Sequence, residues 1–180
     1  MNLKKIKILS VLGIFLLSFL SHFAYKLFPN IIFSFIFPVN ESIWEHMKIL
    51  FTSTLLYGII DYLLLKKYNI KYNNFNFQLY FTALIGIPIY LVIYLPLYNL
   101  LEESPFISIS LLLIVYIITQ IVSYNILKEK ELKILNLITI PVILLSYLGF
   151  IYLTYNPPHT YIFYDINEDK YSINDYIKLE

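Results

Sequence analysis

The chain has 180 residues, of which 59% are hydrophobic, only 14% are charged and none is cysteine. An ordinary soluble domain has about 25% charged residues, so this composition indicates a surface that faces lipid rather than water. The formal net charge of +1 argues against a nucleic-acid partner, and the lack of cysteine excludes disulfides and thiolate metal sites.

Five hydrophobic segments are long enough to cross a bilayer as α-helices, which takes about 20 mostly apolar residues. They cover residues 6–26, 44–65, 78–99, 106–127 and 132–154. Pro88, Pro96 and Pro141 lie inside them, and membrane helices tolerate such prolines. The sequence therefore predicts an all-α integral membrane bundle over residues 1–155, followed by an extracytoplasmic tail over residues 156–180 that partly docks on the outer face.

The lysines predict how this bundle is oriented, because lysine is enriched on the cytoplasmic side of a membrane. Three clusters fall on the same side of the five spans: Lys4, Lys5 and Lys7; Lys66, Lys67 and Lys71; and Lys128, Lys130 and Lys133. We therefore predict that the N-terminus lies inside and the C-terminus outside.

Residue usage indicates the source of the chain. Arginine is absent, while Ile, Asn, Lys, Phe and Tyr are abundant. This bias is typical of AT-rich coding, so we expect the cytoplasmic membrane of a low-GC bacterium. We attribute the 18 tyrosines to the same bias rather than to a ligand surface.

The stretch 27–39, between the first two spans, is apolar but too short to cross the membrane. Pro29 and Pro38 bracket it. We expect a short interfacial or re-entrant segment on the outer side.

Polar residues gather at the predicted outer face. The three histidines, His22, His46 and His159, all fall there, and the densest piece is Asn40-Glu41-Ser42-Ile43-Trp44-Glu45-His46. Ser42 and Glu45 fit a helix capping box, and Trp44 fits an interfacial aromatic belt. On a helix, Glu41 and Glu45 would stack on one face, with His46 close by.

These residue types indicate a candidate site. Carboxylates next to imidazoles bind divalent cations or act as acid and base, so we assign Glu41 and Glu45 as candidate catalytic residues. His22, His46 and His159 are the candidate ligands of a metal such as zinc, and Asn40, Trp44 and Asp165 are candidate ligand-binding residues. Three interpretations remain open: a hydrogen-bonded structural lock between helix ends, a metal or catalytic site, and a site for a ligand or lipid headgroup.

Polar residues in the spans carry weaker signals. Asp61 lies a little more than one turn from Lys66, so we place it near the inner headgroups. Gln120 and Asn125 in the fourth span are interpreted as hydrogen bonds between helices.

His22-Phe23, the segment from Pro38 to His46 and the later Pro157-Pro158-His159 together resemble a bacterial family of small multi-pass membrane proteins. That family, found largely in low-GC Gram-positives, is catalogued as a domain of unknown function. The likeness extends over nearly the whole chain, and Pro-Val-Asn-Glu-Ser is its most specific part. The resemblance implies a membrane protein with a polar cluster at the outer face, and it supplies no reaction.

Two functions follow from these observations. The first is a multi-pass membrane protein whose outer His/Glu/Asn cluster is structural or binds a small molecule or lipid. The second is a membrane-embedded, metal-dependent hydrolase or transferase that acts at the outer leaflet. The expected partner in both cases is the lipid bilayer.

Overall fold

The structure is a computed structural model that describes residues 1–101 and 104–174, so residues 175–180 of the predicted tail lie outside the described residues. Its long helices are Leu3–Leu27 (α1), Ile43–Lys67 (α3), Phe75–Leu101 (α4), Pro105–Lys128 (α5) and Lys133–Tyr155 (α6). A short helix, Ile31–Ile36 (α2), and a 3-10 turn, Tyr161–Phe163 (η1), complete the regular elements. The five long helices are long and apolar enough to cross a membrane. The prediction of an all-α fold with five such helices is therefore confirmed.

Side-chain caps explain where three helices begin. The Asn2 side chain accepts a hydrogen bond from the Lys5 N–H at the start of α1. Asn30 accepts from two N–H groups at the start of α2, and Ser42 accepts from the Glu45 N–H at the start of α3. The stretch 27–39, which is too short to span, contains the short helix α2 at Ile31–Ile36.

The long helices α1 and α3 run in opposite directions, since Lys7 at the start of α1 pairs with Asp61 late in α3 and His22 late in α1 stacks on His46 at the start of α3. α1 packs on α3 and α5, α4 packs on α3, α5 and α6, and α2 packs on α6. The last turn of α1, the first turn of α3 and the tail therefore meet at one end of the bundle, which we call the histidine end. The opposite end, which carries the lysine clusters, is the lysine end.

Large apolar side chains cover much of the outer surface of the bundle, unlike the surface of a soluble protein. Large apolar residues point outward on every long helix; for example, Val92 is 72% exposed and Leu148 is 60% exposed. The interior contains an aromatic and aliphatic core around Phe51, and it also holds many polar side chains such as Gln78 and Thr52. An apolar exterior of this extent matches a lipid environment.

A buried ion pair joins three helices at the lysine end. The Lys7 ammonium lies 2.5 Å from the Asp61 carboxylate, and Ser10 Oγ donates to the other carboxylate oxygen at 2.6 Å. Lys7 also donates to Gln120 of α5 at 3.3 Å. Asp61, placed near the inner headgroups from the sequence, is thus enclosed by α1 and α5. Its charge is compensated by Lys7, which indicates a structural role.

Candidate functional site

Two histidines and one glutamate converge at the histidine end. Nε2 of His46 lies 3.3 Å from one carboxylate oxygen of Glu41, and Nε2 of His22 lies 3.8 Å from the other. The two imidazole rings stack with their centroids 5.2 Å apart. One ligand atom from each residue falls within 4.8 Å of the others, a spacing that fits coordination of one metal ion. Two nitrogens and one carboxylate oxygen are a donor set that zinc accepts.

The orientation of His46 is fixed by its other ring nitrogen. Nδ1 lies 2.8 Å from the Ser42 carbonyl oxygen, one turn earlier at the helix start. Because a carbonyl oxygen only accepts, this bond places a proton on Nδ1. Nε2 of a neutral His46 then presents its lone pair to the Glu41 carboxylate. Such an arrangement is attractive only with a cation at this point, either a proton on Nε2 or a metal ion.

Glu41 lies in the loop just before α3, with its side chain 47% exposed. When Nε2 of His46 carries a proton, its hydrogen bond to Glu41 holds the pKa of the Glu41 carboxyl below its usual range, and the charges of His46, His22 and Lys26 act in the same direction, against partial burial. The carboxylate therefore stays anionic beside the imidazoles.

Asp165 reaches the site from the tail. It is fully buried, and its Oδ2 accepts a hydrogen bond of 2.9 Å from the backbone N–H of Glu41. Its Oδ1 accepts from the N–H groups of Asn167 and Glu168. Asp165 thus connects a turn of the tail to the loop that carries Glu41, and these bonds involve the backbone N–H groups of its partners.

Glu45 has partners of its own away from the cluster. Its carboxylate accepts hydrogen bonds from the Val39 N–H at 3.0 Å and from Thr154 Oγ1 at 2.7 Å. It also pairs with the Lys48 ammonium at 2.8 Å, and Lys48 donates to the Ser34 carbonyl oxygen at 2.9 Å. We call this buried pair the Glu45–Lys48 lock, because it fastens the α2 segment to α3 and α6.

Glu41 and Glu45 therefore do not stack on one helix face, as the sequence pattern suggested. The reason is the position of the cap: Ser42 precedes the first helical residue, Ile43. Glu41 lies before the cap, at a bend of the loop, and faces the histidines, whereas Glu45 lies in the first helical turn and is buried.

Asn40 and Trp44 contact the loop and the tail around the cluster. Asn40 Oδ1 accepts from the Ser42 N–H at 3.0 Å, an Asx turn that shapes the loop before α3. The Trp44 ring packs between Phe150 of α6 and Phe163 of η1, with centroid distances of 5.7 and 5.1 Å. Trp44 thus packs the tail against the bundle.

His159 lies in the tail and is exposed. Its ring stacks on Tyr171 with 4.5 Å between centroids. Within the described residues, the group of converging metal-ligating atoms contains His22, Glu41 and His46, and His159 is outside it.

A cavity of about 330 Å³ adjoins the three converging residues. One wall is formed by Tyr90, Tyr94 and Tyr98 of α4, whose successive ring centroids are 5.1 and 5.8 Å apart. These tyrosines were not predicted from the sequence, because tyrosine richness was attributed to coding bias. Their spacing of four residues was the available signal, since it places them on one helix face.

Comparison with known proteins assigns the chain to a family. Residues 1–173 match the family described as "Family of unknown function (DUF6512)", so the chain belongs to that family. No curated protein and no solved structure matches the chain.

Proposed function

We propose that this member of the family is an integral protein of the bacterial cytoplasmic membrane whose histidine end, at the outer face, binds a divalent metal ion. The ligands are His22, Glu41 and His46, and zinc is the ion that suits them best. The five apolar helices and the lysine clusters at the opposite end support the location and the orientation.

The observation that carries the proposal is the geometry of His46. Its Nδ1 is used by the Ser42 carbonyl oxygen, so the lone pair on Nε2 faces an anionic carboxylate. His22 adds a second imidazole nitrogen at the same point. Metal-binding histidines commonly donate the other ring N–H to a carbonyl or carboxylate in this way, which fixes the ring and raises its basicity as a ligand.

The open side of the cluster favours a second, more specific function, metal-dependent hydrolysis. The three residues line the cavity, so a fourth coordination position would face it. Catalytic zinc sites use three protein ligands and keep one position for water or substrate, and zinc lowers the pKa of bound water to about 7. In this arrangement His22, Glu41 and His46 hold the ion, and the cavity holds the substrate.

The test is the metal content and zinc affinity of the protein purified in mild detergent. We expect one zinc ion per chain in the wild type and loss of binding in His22→Ala, His46→Ala and Glu41→Gln. His159→Ala is the matched control, because it removes a histidine of the same end that lies outside the cluster, and it should bind zinc as the wild type does. Equal binding by all variants, or no binding by the folded wild type, would overturn the proposal in favour of a structural ion pair.

A further inference from the structure

We infer that the cavity beside the metal cluster binds a membrane amphiphile, with an anionic oxygen headgroup at His22, Glu41 and His46 and an apolar chain inside the bundle. This inference rests on the proposed metal-binding function and adds the class of ligand to it. The shape, lining and lipid exposure of the cavity each support it.

The first observation is the shape of the cavity. Its α4 wall runs from Tyr98, near the histidine end, to Tyr90, two turns deeper. At a rise of about 1.5 Å per residue, this wall is about 12 Å long. The volume of about 330 Å³ lies at the low end of the range for ligand pockets. A wall of this length and a volume of this size can hold one acyl chain.

The second observation is the change in lining along this length. The polar groups of the cluster are at the histidine end, and Glu41 and His46 come from the loop and the first turns of α3. Deeper in the bundle, the lining is formed by Leu50 and Leu112 together with the Tyr90 ring. A ligand that satisfies both zones has a polar head and an apolar chain.

The third observation is that apolar residues of the cavity wall are partly exposed. Phe19 and Phe23 of α1 are 38% and 48% exposed, and Ile109 of α5 is 40% exposed. α1 and α5 pack against each other, so these residues form a seam between the cavity and the surrounding bilayer. An amphiphile enters through this seam without leaving the membrane.

The fourth observation concerns the water-facing side. Tyr161, Tyr164 and Ile166 of the tail line the cavity at the histidine end. The tail is fastened there by Asp165, which accepts the Glu41 N–H. The tail thus covers the site on the side opposite to the deep apolar zone, which favours entry from the lipid seam.

The charge of the cluster with a bound metal ion indicates which headgroup fits. Two neutral imidazoles and one carboxylate leave a divalent ion with net positive charge, and Lys26 of α1 adds a cation near Glu41. An anionic oxygen group, a carboxylate or a phosphate, complements this charge.

The experiment measures binding of radiolabelled dodecanoate to the full chain in phosphatidylcholine nanodiscs, with zinc content determined on the same samples. Acetate is the short competitor that carries the same head without the chain. Ile109→Trp is designed to fill the seam, and Ile117→Trp is the matched control, because Ile117 is 43% exposed on the same helix and does not line the cavity.

We expect zinc in the wild type and in both tryptophan variants, with dodecanoate affinity lowered about tenfold or more in Ile109→Trp and unchanged in Ile117→Trp. Equal affinity in the two tryptophan variants, or displacement of dodecanoate by acetate at equal concentration, would overturn the inference. Zinc without dodecanoate binding would overturn the inference alone. Absence of zinc from every folded sample would overturn the proposed function, and the contrast between the two tryptophan variants would still decide whether an amphiphile occupies the cavity.

Discussion

The side chain of Asp165 accepts a hydrogen bond from the backbone N–H of Glu41, 124 residues earlier in the chain, at 2.9 Å. Through this bond, a residue of the tail contacts the loop that presents the Glu41 carboxylate to His22 and His46. The tail is held a second time by the packing of Phe163 on Trp44. The tail therefore supports the loop that carries Glu41. Within the described residues, the tail contributes no residue to the cluster itself.

Asp165→Ala should weaken zinc binding without removing a ligand. The variant loses the hydrogen bonds that the buried carboxylate accepts from the backbone N–H groups of Glu41, Asn167 and Glu168. The net contribution of a hydrogen bond to a charged group is about 1.5–3 kcal/mol. We expect a lower melting temperature and a zinc affinity reduced about tenfold or more, measured by calorimetry in detergent.

Glu168→Gln is the control for this prediction, since Glu168 is exposed and lies in the same turn as Asp165. It should retain both the melting temperature and the zinc affinity of the wild type. Zinc affinity that is unchanged in Asp165→Ala would show that the Glu41 loop keeps its position without the tail.

Lys48→Met should destabilise the fold strongly, because it leaves the Glu45 carboxylate buried without its countercharge. Loss of one partner of a buried pair costs about 3–5 kcal/mol. The double variant Glu45→Gln, Lys48→Met should be more stable than Lys48→Met alone, since it leaves no unpaired charge buried at this position. Unfolding of the wild type, both single variants and the double variant, followed by loss of helical circular dichroism, measures the coupling. A double variant less stable than either single variant would contradict a stabilising interaction between Glu45 and Lys48.

The sequence predicted the helical fold because that signal is carried by local composition over about 20 residues at a time. It also predicted that His22 and His46 gather at one end with Glu41. It did not distinguish the roles of Glu41 and Glu45, because these depend on the residue at which α3 begins. With a helix that began before Glu41, both carboxylates would lie on one face, because residues four apart on a helix share a face.

The sequence did not predict that His159 lies outside the cluster, for a different reason. The tail follows two prolines and its path depends on tertiary contacts, namely the Asp165 bonds and the packing of Phe163. These contacts bring Asp165 to the Glu41 loop and leave His159 stacked on Tyr171.

Gly13→Ala should destabilise the contact between α1 and α3, whereas Gly149→Ala should not destabilise the protein. A Cβ atom at Gly13 would overlap the ring of Tyr57 on α3, so the ring or the helix must move. A Cβ atom at Gly149 meets nothing within 4 Å among the described residues, and alanine favours a helix by up to about 1 kcal/mol over glycine. Thermal unfolding of the two variants, side by side in one detergent, checks the prediction. Equal melting temperatures would mean that the Tyr57 ring moves aside without cost.

Single cysteines should reveal the orientation of the bundle, since the natural chain has none. Asn167 is exposed in the tail at the histidine end, and Lys71 is exposed in the connection between α3 and α4 at the lysine end. We expect a membrane-impermeant maleimide to label Asn167→Cys in intact cells and to label Lys71→Cys only after the cells are opened, because lysine-rich connections stay in the cytoplasm. The unsubstituted protein controls for background labelling. The reverse pattern would place the histidine cluster inside the cell, where the amphiphile would come from the inner leaflet.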